Sequence, residues 1–197
     1  MKIQKPIILL GLMGAGKSAV GRSLAGMLGV TLFDSDSQIE SNFKMTVSEI
    51  FERYGEEKFR EHERNTITEL IRKMAIEKES QGAVISLGGG AFENPDIRQI
   101  VKEHCFSVWL SANIPTIIAR IGNATTRPLL KGSRDEIETL LKDLLEKRTP
   151  AYQKADIFVS TDDLSPKNAA KHVLLAMQKK GITDTADSGK LKSHQNH

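Results

Sequence analysis

Gly11-Leu12-Met13-Gly14-Ala15-Gly16-Lys17-Ser18 follows the short apolar run Ile7–Leu10 and precedes a helical pattern over 18–28. It fits the spacing G-x-x-x-x-G-K-[ST]. Nucleotide phosphates need several backbone N–H donors converging on one point. Side chains would block that approach, so glycines line the turn. A helix beginning at Ser18 turns its positive end toward the anion. Lys17 can reach the outer phosphates, and the Ser18 hydroxyl can ligate Mg²⁺. A bare glycine turn is the plainer reading. The strand directly before and the helix directly after supply the context that a phosphate loop requires.

Outward from this loop, short apolar runs alternate with helical patterns. Strands are expected at 30–33, 83–87, 106–110 and 157–160. Thr46-Val47-Ser48-Glu49 has capping-box spacing and opens a helix toward Arg53. Gly55 interrupts, and a charged amphipathic stretch follows over 56–79. Asn94-Pro95 and Ser165-Pro166 each combine a cap with proline at the first helical position, and further helices are expected over 114–121 and 135–147. Short apolar strands separated by helices predict a parallel sheet covered on both faces, a doubly wound α/β domain. Ligands of such sheets bind beyond the carboxyl ends of the strands.

Composition narrows the function classes. The chain has 197 residues, and 28 Lys plus Arg against 25 Asp plus Glu give a net charge of +3. That charge is too small to argue for a nucleic-acid platform. The single cysteine, Cys105, excludes an internal disulfide framework and a cysteine-rich zinc site. The N-terminal apolar run is too short for a signal peptide, and no stretch has the roughly 18 apolar residues of a membrane span. A cytoplasmic protein binding neither membrane nor nucleic acid is expected. Residues 1–181 read as one domain, and 182–197, with almost no apolar content, as a disordered tail.

Two further features fall at strand ends. Asp34 and Asp36 flank Ser35 and would point to one side of an extended chain. In isolation such a pair reads as a helix N-cap. Beside a phosphate loop, one carboxylate can hold Mg²⁺ waters while the other accepts a hydroxyl proton or anchors an acceptor's hydroxyls. Ser86-Leu87-Gly88-Gly89-Gly90 closes the third strand and leaves N–H groups open to a small ligand. Arg60, Arg120, Arg127 and Arg148 are candidates for two tasks. One is a bidentate clamp on a carboxylate, the other positive charge on a transferring phosphoryl group. Spacing alone does not assign them.

Taken together, the chain resembles the shikimate kinases, relatives in fold of the nucleoside monophosphate kinases. The resemblance rests on Asp34-Ser35-Asp36, Gly55 through Glu63, Ser86 through Ala91, Arg127-Pro128-Leu129-Leu130 and Arg148-Thr149-Pro150-Ala151-Tyr152, in that order. It implies a P-loop kinase with a five-stranded parallel sheet of order 2-3-1-4-5. It also implies a substrate-binding helical region at about 37–63 and a lid at about 120–134. By the family pattern ATP is held by Gly14, Ala15, Gly16, Lys17, Ser18, Ala19, Arg120 and Arg127. Shikimate is held by Asp36, Arg60, Gly89, Gly90 and Arg148, and Mg²⁺ by Ser18 and Asp34. Asp36, Lys17 and Arg127 are the catalytic group. Val47, Phe51, Phe59, Pro128 and Leu129 would wall the acceptor pocket. Leu164 departs from the pattern, since many members carry an arginine there.

The implied reaction moves the ATP γ-phosphoryl group to the 3-hydroxyl of shikimate, in a monomer. A gluconate or nucleotide kinase of the same fold is the rival enzyme. A nucleotide switch is the rival of another class, but its Asn-Lys-x-Asp and Asp-x-x-Gly tetrapeptides do not occur.

Overall fold

The structure, a computed structural model, describes residues 3–76, 82–122 and 132–182. In chain order it runs β1 (Ile7–Leu10), α1 (Lys17–Leu28), β2 (Thr31–Asp34), α2 (Ser35–Phe43) and α3 (Val47–Ile71). A π turn (Arg72–Ile76) leads toward β3 (Ala83–Ser86), then a 3₁₀ turn (Ala91–Glu93), α4 (Pro95–His104) and β4 (Phe106–Ser111). The chain ends in α5 (Ile114–Ile121), α6 (Arg134–Tyr152), β5 (Ile157–Ser160) and α7 (Pro166–Lys179). The strands form one parallel sheet in the order β2-β3-β1-β4-β5, as expected.

Strand β1 is central and fully buried, and its pleat divides the core in two. Ile7 and Leu9 face Leu24 of α1 and Val173 and Met177 of α7. Ile8 and Leu10 face Ile67 and Ile71 of α3 and Ile97 and Val101 of α4. Truncating any of these four strand residues to alanine would cost about 3 kcal/mol, a large share of a domain's net stability. A smaller core of Ile39, Ile50 and Phe59 joins α2 to α3 over the expected helical region. Among the described residues no helix is long and apolar enough to cross a membrane.

Three expectations need correction. The chain does not stay extended through Asp36. It turns into α2 at Ser35, because the Asp34 carboxylate accepts the amides of Asp36 (3.1 Å) and Ser37 (3.3 Å). The N-cap reading of the acidic pair therefore holds alongside any chemical one. The expected interruption at Gly55 is present: its φ of 80° and ψ of 169° put a kink between the two helical segments that run together as α3. Helix α6 continues past 147 to Tyr152 despite Pro150. Ile182 belongs to the core and not to a tail: it is buried, and its amide donates to Met177 O at 3.0 Å. Residues 183–197 and most of the expected lid, with Arg127, Pro128, Leu129 and Leu130, lie outside the described residues.

Candidate active site

The sheet order brings three strand ends side by side. Asp34 at the end of β2 is in register with Ser86 of β3, and Ser86 with Leu9 of β1. The pairing continues past the strands. Leu87 N donates to Leu9 O (3.0 Å), and Gly88 N donates to Ser35 Oγ (2.9 Å). The acidic pair, the triple glycine and the phosphate loop thus share one edge.

The loop's geometry demands glycine at three places, Gly14 among them with φ 78° and a Cβ that would stand 2.9 Å from Ile117 Cγ2. Gly11 has φ 144°, and a Cβ there would stand 2.2 Å from Leu110 O; Gly16 has φ 93° and starts α1. Helix α1 has no side-chain cap, whereas α2 to α7 are capped by Asp34, Thr46, Asn94, Asn113, Ser133 and Ser165. Among the described α-helices α1 alone lacks such a cap, so its first amides are open to an external anion. Lys17 Nζ donates to Gly11 O (2.8 Å) and Leu12 O (3.1 Å), so the ammonium lies against the loop it would serve. Gly14, Ala15 and Gly16 form the turn, and Ser18 and Ala19 lie in the first turn of α1.

Arg120 of α5 reaches over this loop. Its Nη1 donates to Thr161 Oγ1 (2.9 Å) and Gly14 O (3.4 Å), and its Nη2 to Thr161 O (2.5 Å). The buried Thr161 hydroxyl in turn lies 3.0 Å from Ala15 O and 3.1 Å from Ser111 O. Leu164 packs into the core beneath α1 and α7.

Ser18 Oγ donates to Asp34 Oδ2 at 3.2 Å, which joins the two expected metal ligands. Asp36, in the first turn of α2, lies against the glycine segment: a Cβ on Gly88 would stand 2.5 Å from its Oδ1 and 2.9 Å from Glu63 Oε1.

Arg60 and Arg148 converge on the floor formed by Gly89 and Gly90. A Cβ on Gly90 would stand 2.8 Å from both terminal nitrogens of Arg60, and one on Gly89 would stand 3.1 Å from Arg148 Nη1. Gly89 also borders the phosphate loop, with the same Cβ position 3.7 Å from Gly11 O. The Arg60 guanidinium carbon lies 5.3 Å from the Phe59 ring centre and 5.9 Å from that of Phe51, inside cation–π range. Val47 and Phe51 pack against the small core that holds Phe59.

Glu63 is the carboxylate that sequence reasoning passed over. Arg60 Nη1 donates to its Oε2 at 2.7 Å, and its side chain is 3% exposed against 32% for Arg60. Burial opposes the charge on Arg60, but Glu63 and Glu56 outweigh it and the guanidinium pKa rises. Glu63 is deeper. Burial, reinforced by Asp36, raises its pKa despite the pull of Arg60 and Arg148. A signal was present: Glu63 falls on the stripe of Phe59 and Ile67, one helical turn from each. Tyr152 was also passed over. It is buried one turn after Arg148 and donates its hydroxyl to Gly89 O at 2.5 Å.

The family profile described as shikimate kinase matches residues 13–178. The chain is 39% identical to the shikimate kinase of Mesorhizobium japonicum over 190 residues, 96% of this chain and 89% of that one. It is 42% identical to that of Ruegeria pomeroyi over 160 residues, 81% of this chain and 77% of that one. The chain belongs to the shikimate kinase family. In structure it resembles the shikimate kinase of Acinetobacter baumannii in complex with shikimate, with TM-score 0.80, 32% identity and coverage of 91% and 96% of the two chains. A gluconokinase from Sinorhizobium meliloti, 13% identical with TM-score 0.60 over 91% and 95% of the two chains, shares the fold alone. Family membership makes the chain an ATP-dependent kinase with an alcohol acceptor.

Proposed function

We infer that the chain transfers the γ-phosphoryl group of ATP to the 3-hydroxyl of shikimate, giving shikimate 3-phosphate and ADP. The supporting observation is the pair Arg60 and Arg148 on one glycine floor that borders the phosphate loop. Two guanidinium groups converging on a floor without side chains fit a small carboxylate. The shared border sets its hydroxyls beside the phosphates. Gluconate is also a small carboxylate, but the kinase named for it shares only the fold.

Phosphoryl transfer leaves little covalent work to a protein; positioning and charge compensation dominate. In this reading the uncapped amides of α1 and Lys17 hold the outer phosphates. Arg120, and Arg127 from the expected lid, add positive charge there. Arg60 and Arg148 fix the acceptor's carboxylate, and Asp36 anchors its hydroxyls and accepts the proton as the oxygen attacks. Mg²⁺ would be held by Ser18 and Asp34. Such an ion keeps several waters and takes oxygens from the nucleotide, so one hydroxyl and one carboxylate suffice. When bound it offsets charge on the phosphate oxygens.

A coupled assay with ATP, Mg²⁺ and a panel of shikimate, gluconate and nucleoside monophosphates tests the reading. Turnover with shikimate alone is expected. Folded protein that phosphorylates another panel member and not shikimate would sink it.

A further inference from the structure

The two acceptor arginines obtain their counter-charges differently. Arg60 is paired within its own helix, by Glu63 and Glu56. Arg148 is buried on α6, and its partner comes from across the site: Arg148 Nε donates to Glu93 Oε1 at 2.8 Å. Glu93 is the last residue of the 3₁₀ turn that directly extends the glycine floor.

That turn is itself fixed. Arg98 Nη1 donates to Phe92 O (2.8 Å) and Glu93 O (2.6 Å), and Asn94 caps the helix that follows. Glu93 is therefore projected from a rigid base. Its second oxygen lies 3.5 Å from Lys147 Nζ, but that ammonium is 71% exposed, and such a pair contributes little. The bond to buried Arg148 is the consequential one, because a buried guanidinium left unpaired is strongly destabilising.

The choice of nitrogen matters. A guanidinium offers a side edge, which includes Nε, and an end edge formed by its two terminal nitrogens. Glu93 takes Nε. Nη1 lies at the Gly89 floor. A carboxylate on Nε thus fixes the plane of the group and leaves the end edge to a ligand.

We propose that Glu93 is a positioning residue for the acceptor's carboxylate, acting through Arg148, which it orients by the Nε–H bond from the turn carrying the glycine floor. Tyr152, bonded to Gly89 O, is the second tie between α6 and that floor. The proposal rests on the reading of Arg148 as a ligand of the shikimate carboxylate.

Three substitutions separate orientation from charge. Glu93→Gln keeps an acceptor at Nε and loses the charge. Glu93→Asp keeps the charge and withdraws it by one methylene. Glu93→Ala loses both. Steady-state kinetics on the full chain should show the shikimate KM raised about tenfold in the Asp and Ala variants and within about threefold of wild type in Gln. The kcat and the ATP KM should stay within about twofold in all three, and Lys147→Ala should match wild type. An unchanged shikimate KM in both Asp and Ala overturns the proposal. So does Gln behaving as badly as Ala while Asp behaves as wild type, which would make charge alone the cause. Parallel losses in kcat, ATP KM and melting temperature would reveal a merely structural residue and also overturn it. Wild-type protein inactive on shikimate would remove the functional reading and this proposal with it; an active wild type with any of the contrary variant patterns removes this proposal alone.

Discussion

Asp34 accepts the Ser18 hydroxyl on Oδ2 at 3.2 Å while its Oδ1 accepts the first amides of α2. One carboxylate closes a helix and faces the phosphate loop. These two jobs can be separated. Asp34→Asn retains a capping oxygen and loses the charge, whereas Asp34→Ala loses both. The Asn variant should melt close to wild type, with activity reduced about a hundredfold and a raised Mg²⁺ requirement. The Ala variant should lose about 1 kcal/mol of stability in addition. Titrating activity against Mg²⁺, beside thermal melts, checks both. An Asn variant with wild-type Mg²⁺ dependence would leave Asp34 as a cap and nothing more.

Gly90 has ordinary backbone angles, φ −94° and ψ −13°, so alanine is conformationally acceptable there. The obstacle is spatial, since the new Cβ would stand 2.8 Å from both Arg60 terminal nitrogens. A long side chain can move aside more cheaply than backbone can. Gly90→Ala should therefore fold, displace the guanidinium, and raise the shikimate KM at least about tenfold with the ATP KM unchanged. Separate kinetic runs varying each substrate decide it. Equal effects on both substrates would mean that the floor serves the nucleotide as well.

Asp36 is the proposed proton acceptor, set in the first turn of α2 and facing Gly88. Asp36→Asn preserves shape and removes basicity. Turnover should fall by about a thousandfold, in line with loss of a positioned base and anchor. ADP binding, which depends on the loop and α1, should remain within about threefold, measured by calorimetry. Near-normal turnover in this variant would move the base elsewhere.

The strands were legible because each is a short apolar run, and the phosphate loop because its residue types are dictated by the anion it meets. The β2-β3-β1-β4-β5 order was available only through the family resemblance. What stayed hidden was the partnering. Helix α2 begins on a cap that the isolated pair already suggests, but the neighbouring phosphate loop pulls the reading of the same carboxylates toward chemistry. Glu63 looked like one more charge on a charged helix, although its place on the Phe59–Ile67 stripe marked it as buried. Glu93 and Arg148 are far apart in sequence and meet only because α6 crosses the glycine floor.

Glu63 makes a pH-dependent prediction whose sign follows from its surroundings. Burial, with Asp36 beside it, raises its pKa in the folded state, and Arg60 does not fully reverse this. A carboxyl with a raised folded pKa binds more protons folded than unfolded across the interval between its two values. Its contribution to stability is therefore fully present below the unfolded value and is lost as pH rises through the folded one. Glu63→Gln cannot ionise and keeps an oxygen for Arg60 Nη1. The stability of this variant relative to wild type should rise with pH from the ordinary carboxylate range upward, and level off once Glu63 is ionised in the fold. Chemical denaturation of both proteins from about pH 4 to 8 measures the difference directly. A flat difference would mean that Arg60 and burial cancel, and one that falls with pH that Arg60 outweighs burial and holds Glu63 ionised.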